Sequence, residues 1–325
     1  MSSSNSYNFT VSRDNLITDA LLHIGAIGEG ETPSANAVTE AARVLNMLVK
    51  LRAADGMPLW ALKRGFILPF TDASSITTVS HVVTDYITST LSADEAASQT
   101  VLSITDTTGM ATGDQFGIEL DDGTMQWTTV TVDSSTQGTV ATALTGAAAS
   151  GNRVYAYTAS SDRVQRPLRV IEANILDVSS SSSWEIDIED RSNYYALGNR
   201  TSEGTPNRIY YEPSLGSGTA DPTSASTWYG TFYVYPRFEN GEKIVEFTYH
   251  RPFQDFDAST DNPDFPQEFY LPLWLELSAL LGPRYGLPID ERRALFLEAK
   301  VYLTEALGTI APEGSLNIQP DFRNA

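Results

Sequence analysis

Two carboxylates beside a tryptophan form the pattern in this chain that is best suited to chemistry. Asp187 and Glu189 follow Trp184 in a stretch that alternates apolar and polar residues, which is typical of a half-exposed strand. Side chains two residues apart on a strand share a face, so the carboxylates are expected side by side. Such a pair next to an aromatic ring can hydrolyse a glycoside or bind a cation. A solvated strand face that discourages edge pairing explains the same residues, and we favour that interpretation.

Metal chemistry and nucleophilic catalysis have little support. The chain contains three histidines, His23, His81 and His250, and no cysteine. The histidines are far apart in the sequence, and none has a neighbour at the spacing of metal ligands. Without cysteine there is neither a disulfide framework nor a thiolate site. We therefore expect no metal, no cofactor and no catalytic serine–histidine pair, and we predict that the protein is not an enzyme.

The other acidic clusters are predicted to shape turns. Asp255, Asp257, Asp261 and Asp264 lie in one loop-like stretch, where turn formation and helix capping account for them. The run Asp121-Asp122-Gly123 is a hairpin-turn signal. Neither cluster predicts a binding site.

The bulk composition limits the class of protein. The 325 residues are enough for about two domains, and 41 % hydrophobic residues are enough for a folded core. The net charge of −20 argues against a coat that holds DNA by neutralising phosphates, although DNA can still slide past such a surface. The first residues lack a basic region followed by an apolar run, so no signal peptide is predicted. No apolar stretch is long enough to span a membrane.

Helical periodicity marks both ends of the chain. Residues 261–307 are predicted to form a proline-rich entry, a helix that Gly282 stops, a turn, and a second helix that Asp290 caps and Gly308 ends. Two more helices are predicted between residue 12 and Gly56. The apolar stripes are Leu273, Trp274, Leu277, Leu280 and Leu281; Leu295, Ala299, Tyr302, Leu303 and Ala306; Leu16, Ile17, Ala20, Leu21 and Ile24; and Val38, Ala41, Ala42, Leu45, Leu48 and Val49. Because each stripe needs a surface to bury it, we expect the two helix pairs to pack together.

The central part is predicted to be β-structure. From residue 72 to 157 the chain is rich in Thr, Ser, Val, Ala and Gly, and short strand-like runs alternate with turn dipeptides, as in a small barrel or sandwich. The runs are residues 100–104, 115–120, 126–132, 138–143 and 153–157. Further strands are predicted at residues 184–188, 208–212, 230–235 and 243–250, and a hairpin tip at 179–183.

The predicted fold class is α+β. It combines a helical bundle formed by the N- and C-terminal helix pairs, a central antiparallel β region, and an inserted small β-barrel or sandwich domain. The predicted segments are residues 1–71 (N-terminal arm, helix pair and first strand), 72–159 (inserted β-domain), 160–307 (β region and C-terminal helix hairpin) and 308–325 (extended tail). The tail carries spaced apolar residues, namely Leu316, Ile318, Pro320 and Phe322. It can order on a partner that buries them, or it can fray or pack back on the chain; we favour the partner.

Short blocks along the chain stand in a recognisable order and spacing. They are Leu21–Ala26, Ala41–Leu48, Asp55–Trp60, Pro167–Ala173, Tyr235–Pro236, Glu246–Pro252, Phe265–Phe269 and Tyr285–Gly286. In this order they resemble the head-to-tail adaptor proteins of short-tailed phages, also called head-completion or packaged-DNA-stabilisation proteins. The inserted β-domain departs from the smallest, mostly helical members of that family. Its run Gly117–Thr124 resembles decoration domains of other phage structural proteins.

The resemblance implies a structural virion protein of the neck or tail, assembled in the host cytoplasm. It implies a ring of twelve copies under the portal protein, which extends the DNA channel and carries tail nozzle or tail fibre proteins. Double-stranded DNA would pass through the lumen without sequence-specific binding. The resemblance also implies that the tail docks on the portal, through Leu316, Ile318, Pro320 and Phe322.

The basic residues fit two interpretations within such a ring. They are Arg43, Lys50, Arg52, Lys63, Arg64, Arg163, Arg166 and Arg169. Lys50 and Arg52 are two residues apart on a helix and cannot share a face, so no continuous DNA-binding stripe is predicted. These residues can line the channel, or they can pair with acids of neighbouring subunits, which we prefer.

Two other classes stay open. A carbohydrate-binding or glycan-cleaving β-protein of a phage tail would have its site at Trp127 and at the carboxylates beside Trp184. A baseplate or neck component of a long-tailed phage would share the structural role but have a different neighbour. A carbohydrate-binding protein should bind glycans without residues 309–325, whereas an adaptor should lose its partner when the apolar residues of the tail become polar.

Overall fold

The structure of the chain is a computed structural model that describes residues 9–54, 61–71, 75–77, 80–213 and 230–308. Within these residues the fold is mixed α and β, as predicted, with five α-helices and several sheets. The helices are α1 (Arg13–His23), α2 (Ala35–Ala54), α3 (Arg191–Ala196), α4 (Tyr270–Leu281) and α5 (Ile289–Gly308). The chain divides into two compact units: a helical unit of residues 1–61 and 253–325, and a β unit of residues 62–252.

The helical unit is organised around α4, which packs against α1, α2 and α5. Leu273, Leu277 and Leu281 of α4 are all buried, as their helical spacing predicts for an element that is covered by others. An ion pair adds a polar link between α2 and α4. The Arg52 guanidinium pairs with the buried Glu276 carboxylate and donates from Nε to Oε2 at 2.9 Å.

The turn between α4 and α5 follows the predicted pattern with one correction. A single 3-10 turn, Gly282–Tyr285, extends α4, and Gly286 follows with φ +81°, a left-handed conformation that glycine adopts without steric cost. Helix α5 begins at Ile289, so Asp290 lies inside its first turn and is not the cap residue. Its charge there still complements the positive N-terminal end of the helix dipole.

The β unit contains the strands. In chain order they are β1 (Leu62–Ile67), β2 (Ser75–Thr77), β3 (Val82–Val83), β4 (Ile87–Thr90), β5 (Val101–Ser103), β6 (Gln115–Glu119), β7 (Met125–Ser134), β8 (Gln137–Val140), β9 (Arg153–Tyr157), β10 (Arg169–Asp177), β11 (Ser183–Glu185), β12 (Asp187–Glu189), β13 (Glu203–Gly204), β14 (Arg208–Glu212), β15 (Thr231–Tyr235), β16 (Arg237–Phe238) and β17 (Lys243–His250). They form a five-stranded sheet β11-β10-β17-β1-β3, a four-stranded sheet β12-β14-β15-β2, a six-stranded sheet β4-β9-β6-β7-β8-β5 and the pair β13-β16. The pairings β12–β14 and β13–β16 are parallel.

Clusters of buried side chains hold the sheets of the β unit together. The five- and four-stranded sheets share one core, to which Ile209, Phe232 and Phe247 contribute. The six-stranded sheet has its own core, which includes Phe116 and Val130. Side chains alternate between the two faces of a strand. In β9, Val154 and Ala156 join the core of the six-stranded sheet, whereas Tyr155 and Tyr157 join a third cluster with Ile244 of β17, so β9 is buried on both faces.

Two local predictions in the β unit need correction. The alternating run 184–188 is not one strand, because β11 ends at Glu185 and β12 begins at Asp187 in a different sheet. Ile186, the residue between the two strands, is buried in the core that the two sheets share. Its burial fixes the place where the chain passes from one sheet to the other. The six-stranded sheet includes the predicted runs, but β4 (Ile87–Thr90), which no run predicted, forms one of its edges.

Candidate functional site

Helix α5 leaves large apolar side chains in solvent. Its inward stripe buries Ala299 and Ala306. On the opposite side, Leu297 is 66 % exposed and Val301 is 55 % exposed, one turn apart. Two large apolar side chains side by side on a helix make this face a candidate interaction site, because covering them removes apolar area from water.

Charged residues flank this exposed face in a regular order. Glu291, Glu298 and Glu305 recur every seven residues along one edge. Arg293 and Lys300 recur at the same interval along the other edge. Apolar residues on the face with charges of opposite sign on its two edges are the arrangement that helices use to pair with another helix in a fixed orientation.

Helix α2 presents a second exposed apolar patch. Met47 is 63 % exposed and Leu51 is 56 % exposed, one turn apart on the side that faces away from the helical core. Two cations border them. Arg43 lies one turn before Met47, and Lys50 pairs with Asp255 at 2.8 Å. We refer to Met47 and Leu51 as the α2 patch.

The helical periodicity of the sequence did not identify these two exposed faces. The stripes of α2 and α5 that satisfy the amphipathic pattern are the ones that pack on the core, and they leave Met47 and Leu297 unassigned. The signal that could have identified them is a second apolar pair at a spacing of four residues, with charges repeated every seven. That pattern exists in α5 from Glu291 to Glu305.

The two predicted carboxylates both lie on β12, two residues apart, but their surroundings differ. Glu189 on β12 pairs with Arg208 on β14 at 3.2 Å, whereas Asp187 is exposed. Trp184 is also exposed, but it belongs to the other sheet. The next acid, Asp190, caps α3 by accepting from the Asn193 N–H at 2.8 Å. That bond and one from the Ser192 hydroxyl lower the Asp190 pKa.

An aromatic cluster and a shallow cleft adjoin the carboxylates. The Tyr210 and Tyr233 rings stack across β14 and β15, with centroids 5.4 Å apart. The guanidinium groups of Arg191 and Arg200 lie 5.7 and 4.9 Å from the Tyr195 ring centroid. Beside them is an open cleft of about 570 Å³ lined by Asp190, Arg191, Ser192 and Tyr195. An exposed ring with polar groups around it could contact a sugar or another planar polar ligand.

The histidines have aromatic or strand surroundings and do not come together. His81 stacks on Trp127 with ring centroids 3.9 Å apart, and its Nδ1 lies 3.3 Å from the Tyr157 hydroxyl. Burial, together with the Arg163 charge, lowers the His81 pKa to about 4. His23 packs beside Trp274 with ring centroids 4.8 Å apart. Among the described residues there is no group of three or more potential metal ligands.

The remaining predicted polar residues have structural partners. Asp261 accepts hydrogen bonds from the Asp257 and Ala258 N–H groups, and Asp264 accepts one from Gln254. Asp122 accepts from the Thr124 N–H at 2.9 Å, as in a tight turn. Several predicted basic residues pair within the chain. These pairs are Lys50–Asp255 at 2.8 Å, Arg52–Glu276 and Arg64–Glu246 at 2.7 Å.

Comparison with known proteins assigns no family to the chain. No protein-family model matches it. No curated protein sequence matches it either.

The predicted docking residues Leu316, Ile318, Pro320 and Phe322 lie outside the described residues. None of the described helices is long and apolar enough to cross a membrane.

Proposed function

We propose that this chain is a structural, non-enzymatic adaptor of a phage connector. It assembles as a ring under the portal protein, extends the DNA channel and carries tail nozzle or tail fibre proteins. The observation that carries the proposal is the pair of apolar faces that the helical unit leaves exposed, on α2 at Met47 and on α5 at Leu297. The resemblance of the sequence blocks to the adaptor family supplies the biological setting.

A ring subunit needs two different interfaces, because each copy contacts one neighbour on each side. The α2 patch and the exposed face of α5 are different in sequence and in charge, which suits contacts of this kind. Burying the exposed part of a side chain such as Leu297 or Met47 contributes about 1–2 kcal/mol to an interface, before the cost of association is subtracted. In this proposal the two helix pairs act as a bundle that builds the ring. The part of residues 72–159 that forms the six-stranded sheet acts as an inserted barrel or sandwich that offers surface to tail proteins.

The tail has a separate role in the proposal. Leu316, Ile318, Pro320 and Phe322 dock on the portal, and ordering of the tail on that surface offsets the entropy of fixing the chain. The net charge of −20 suits a channel wall past which double-stranded DNA moves without being held. The free chain is then expected to be mostly monomeric, with the portal as template for the ring.

Electron-microscopy class averages of the purified protein, alone and mixed with the portal ring of the same virus, test the proposal. We expect an added ring on the portal that disappears when residues 309–325 are deleted. A variant with Leu316, Ile318 and Phe322 changed to serine should lose the ring in the same way. A matched variant with Asn317 and Asn324 changed to serine should keep it. A portal without added density would refute the adaptor proposal.

A carbohydrate-binding protein of a phage tail is the second candidate. The open cleft beside Tyr195 and the exposed Trp184 favour it, because sugar sites combine an accessible ring with polar groups. The full chain on a glycan array, compared with the Tyr195→Ala and Trp184→Ala variants, tests it. Binding that depends on either ring would support this candidate, and a blank array would exclude it.

A further inference from the structure

The outward face of α5 has the composition of a helix-pairing surface. Four exposed positions, Ala294, Leu297, Val301 and Thr304, follow one another at spacings of three, four and three residues. We call them the outer seam. The Thr304 hydroxyl donates to the Lys300 carbonyl at 2.8 Å, so this position brings no unpaired donor into a covered interface. The seam is therefore suited to burial against another helix.

The charges beside the outer seam limit what can cover it. The outward half of α5 carries four acidic side chains, Asp290, Glu291, Glu298 and Glu305, and two basic ones, Arg293 and Lys300. A partner with excess positive charge is attracted to this face, whereas a second copy of the same face meets net repulsion. Glu291, Glu298 and Glu305 form the acidic edge of the seam.

The α2 patch has the complementary character. Met47 and Leu51 offer two large apolar side chains, and an unbranched methionine adapts its shape to the surface it meets. Arg43, one turn away, is exposed, whereas Lys50, next to Leu51, pairs with Asp255 of its own chain at 2.8 Å. The one acid on this side of α2, Glu40, is occupied by Arg284 at 2.6 Å. The α2 patch therefore offers apolar contact to the outer seam and positive charge to its acidic edge.

We propose that the outer seam of α5 docks on the α2 patch of a second copy of this chain. The contact joins two different surfaces, so each copy keeps one seam and one patch free, and the pairing repeats from copy to copy. This inference rests on the proposed ring and names the surfaces that close it. The acidic edge faces Arg43 of the neighbouring copy and fixes the direction of the pairing.

Disulfide trapping tests the contact on the full chain, since the protein has no cysteine and gives no background. One chain carries Met47→Cys, and a second chain with a size tag carries Leu297→Cys. After mixing and mild oxidation, the mixed disulfide should form at least about tenfold faster than in a mixture of Leu297→Cys with Ser150→Cys, where only collision joins the thiols. That ratio corresponds to about 1.4 kcal/mol of specific attraction. Each variant alone should give little homodimer.

A charge reversal supplies a matched control. Glu291, Glu298 and Glu305 changed to lysine in the Leu297→Cys chain should slow the mixed reaction to near the collision rate. The same three changes in the Met47→Cys chain should leave it unaffected, because the α5 of that chain lies outside the trapped contact. Rapid homodimerisation of Leu297→Cys, or a mixed rate no faster than the Ser150→Cys control, would overturn the inference.

The outcome is separable from that of the proposed function. A ring on the portal in electron micrographs together with trapping at the collision rate leaves the adaptor proposal standing and rejects these surfaces. Specific trapping without a ring on the portal keeps the contact between copies and rejects the adaptor. A chain with both Met47→Cys and Leu297→Cys should give a ladder of covalent oligomers on oxidation, whereas either cysteine alone should stop at monomers and dimers.

Discussion

Removing the cation beside Glu276 is expected to destabilise the helical unit. Glu276 is 4 % exposed, and Arg52 holds its carboxylate from α2. In Arg52→Met the carboxylate stays buried without this cation. Such a loss costs about 3–5 kcal/mol when the pair is fully buried. Because the Arg52 side chain is 30 % exposed, water screens part of the pair, and we expect about 2–3 kcal/mol of lost unfolding free energy.

Urea denaturation followed by far-ultraviolet circular dichroism measures this loss, since helices dominate that signal. Changing Glu276 to glutamine in the Arg52→Met background removes the buried charge but keeps its hydrogen-bonding capacity, so we expect more than half of the stability to return. Arg43→Met is the matched surface control, with an expected effect within about 0.5 kcal/mol. An Arg52→Met protein as stable as Arg43→Met, or a double variant no better than the single, would refute the reasoning.

Three further predictions concern the β unit. Burial lowers the pKa of His81 to about 4, below its ordinary 6.5, so up to about 3 kcal/mol of unfolding free energy is lost as the pH falls from 6.5 towards 4. Urea titrations across this range should show the slope. His81→Asn should reduce the slope, and the contribution of His250, whose pKa burial also lowers, should remain. Gly117→Ala places a methyl group 2.8 Å from the Trp127 ring, so the tryptophan fluorescence should shift and the unfolding free energy should fall by about 1–3 kcal/mol. Gly198→Ala places its methyl group in open space and should change neither the fluorescence nor the stability. Asp190→Ala removes the cap of α3 and should cost about 1 kcal/mol in thermal unfolding, with Asp190→Ser nearly neutral.

Local sequence predicted the long helices well. The stripes of α4 and α5 and the stop near Gly282 follow from a period of 3.6 residues and from glycine, and both depend on neighbours close in the chain. The passage of the chain from one sheet to another at Ile186 could not be predicted in this way. Strict alternation from Trp184 to Ile188 is compatible with one strand or with two, and only pairing with the distant β10 and β14 decides between them.

The candidate surfaces were harder to predict than the fold. A single periodic stripe is enough to assign a helix, and residues outside it, such as Leu297 and Met47, then pass as ordinary surface positions. Their exposure is known only when the core side of each helix has been identified. The carboxylates at Asp187 and Glu189 show the reverse case. Their spacing suggested a pair, but Arg208 engages one of them across a strand pairing that lies far apart in sequence.

The discontinuous helical unit has a consequence for protein synthesis. Helices α1 and α2 leave the ribosome first, yet their apolar faces pack on α4, which begins at Tyr270. The β unit, from Leu62 to Pro252, is contiguous and is complete before α4 emerges. The apolar faces of α1 and α2 therefore lack α4, their main packing partner, until synthesis of the β unit is complete. A nascent chain that stalls before residue 270 is expected to be a substrate for chaperones that bind exposed apolar helices.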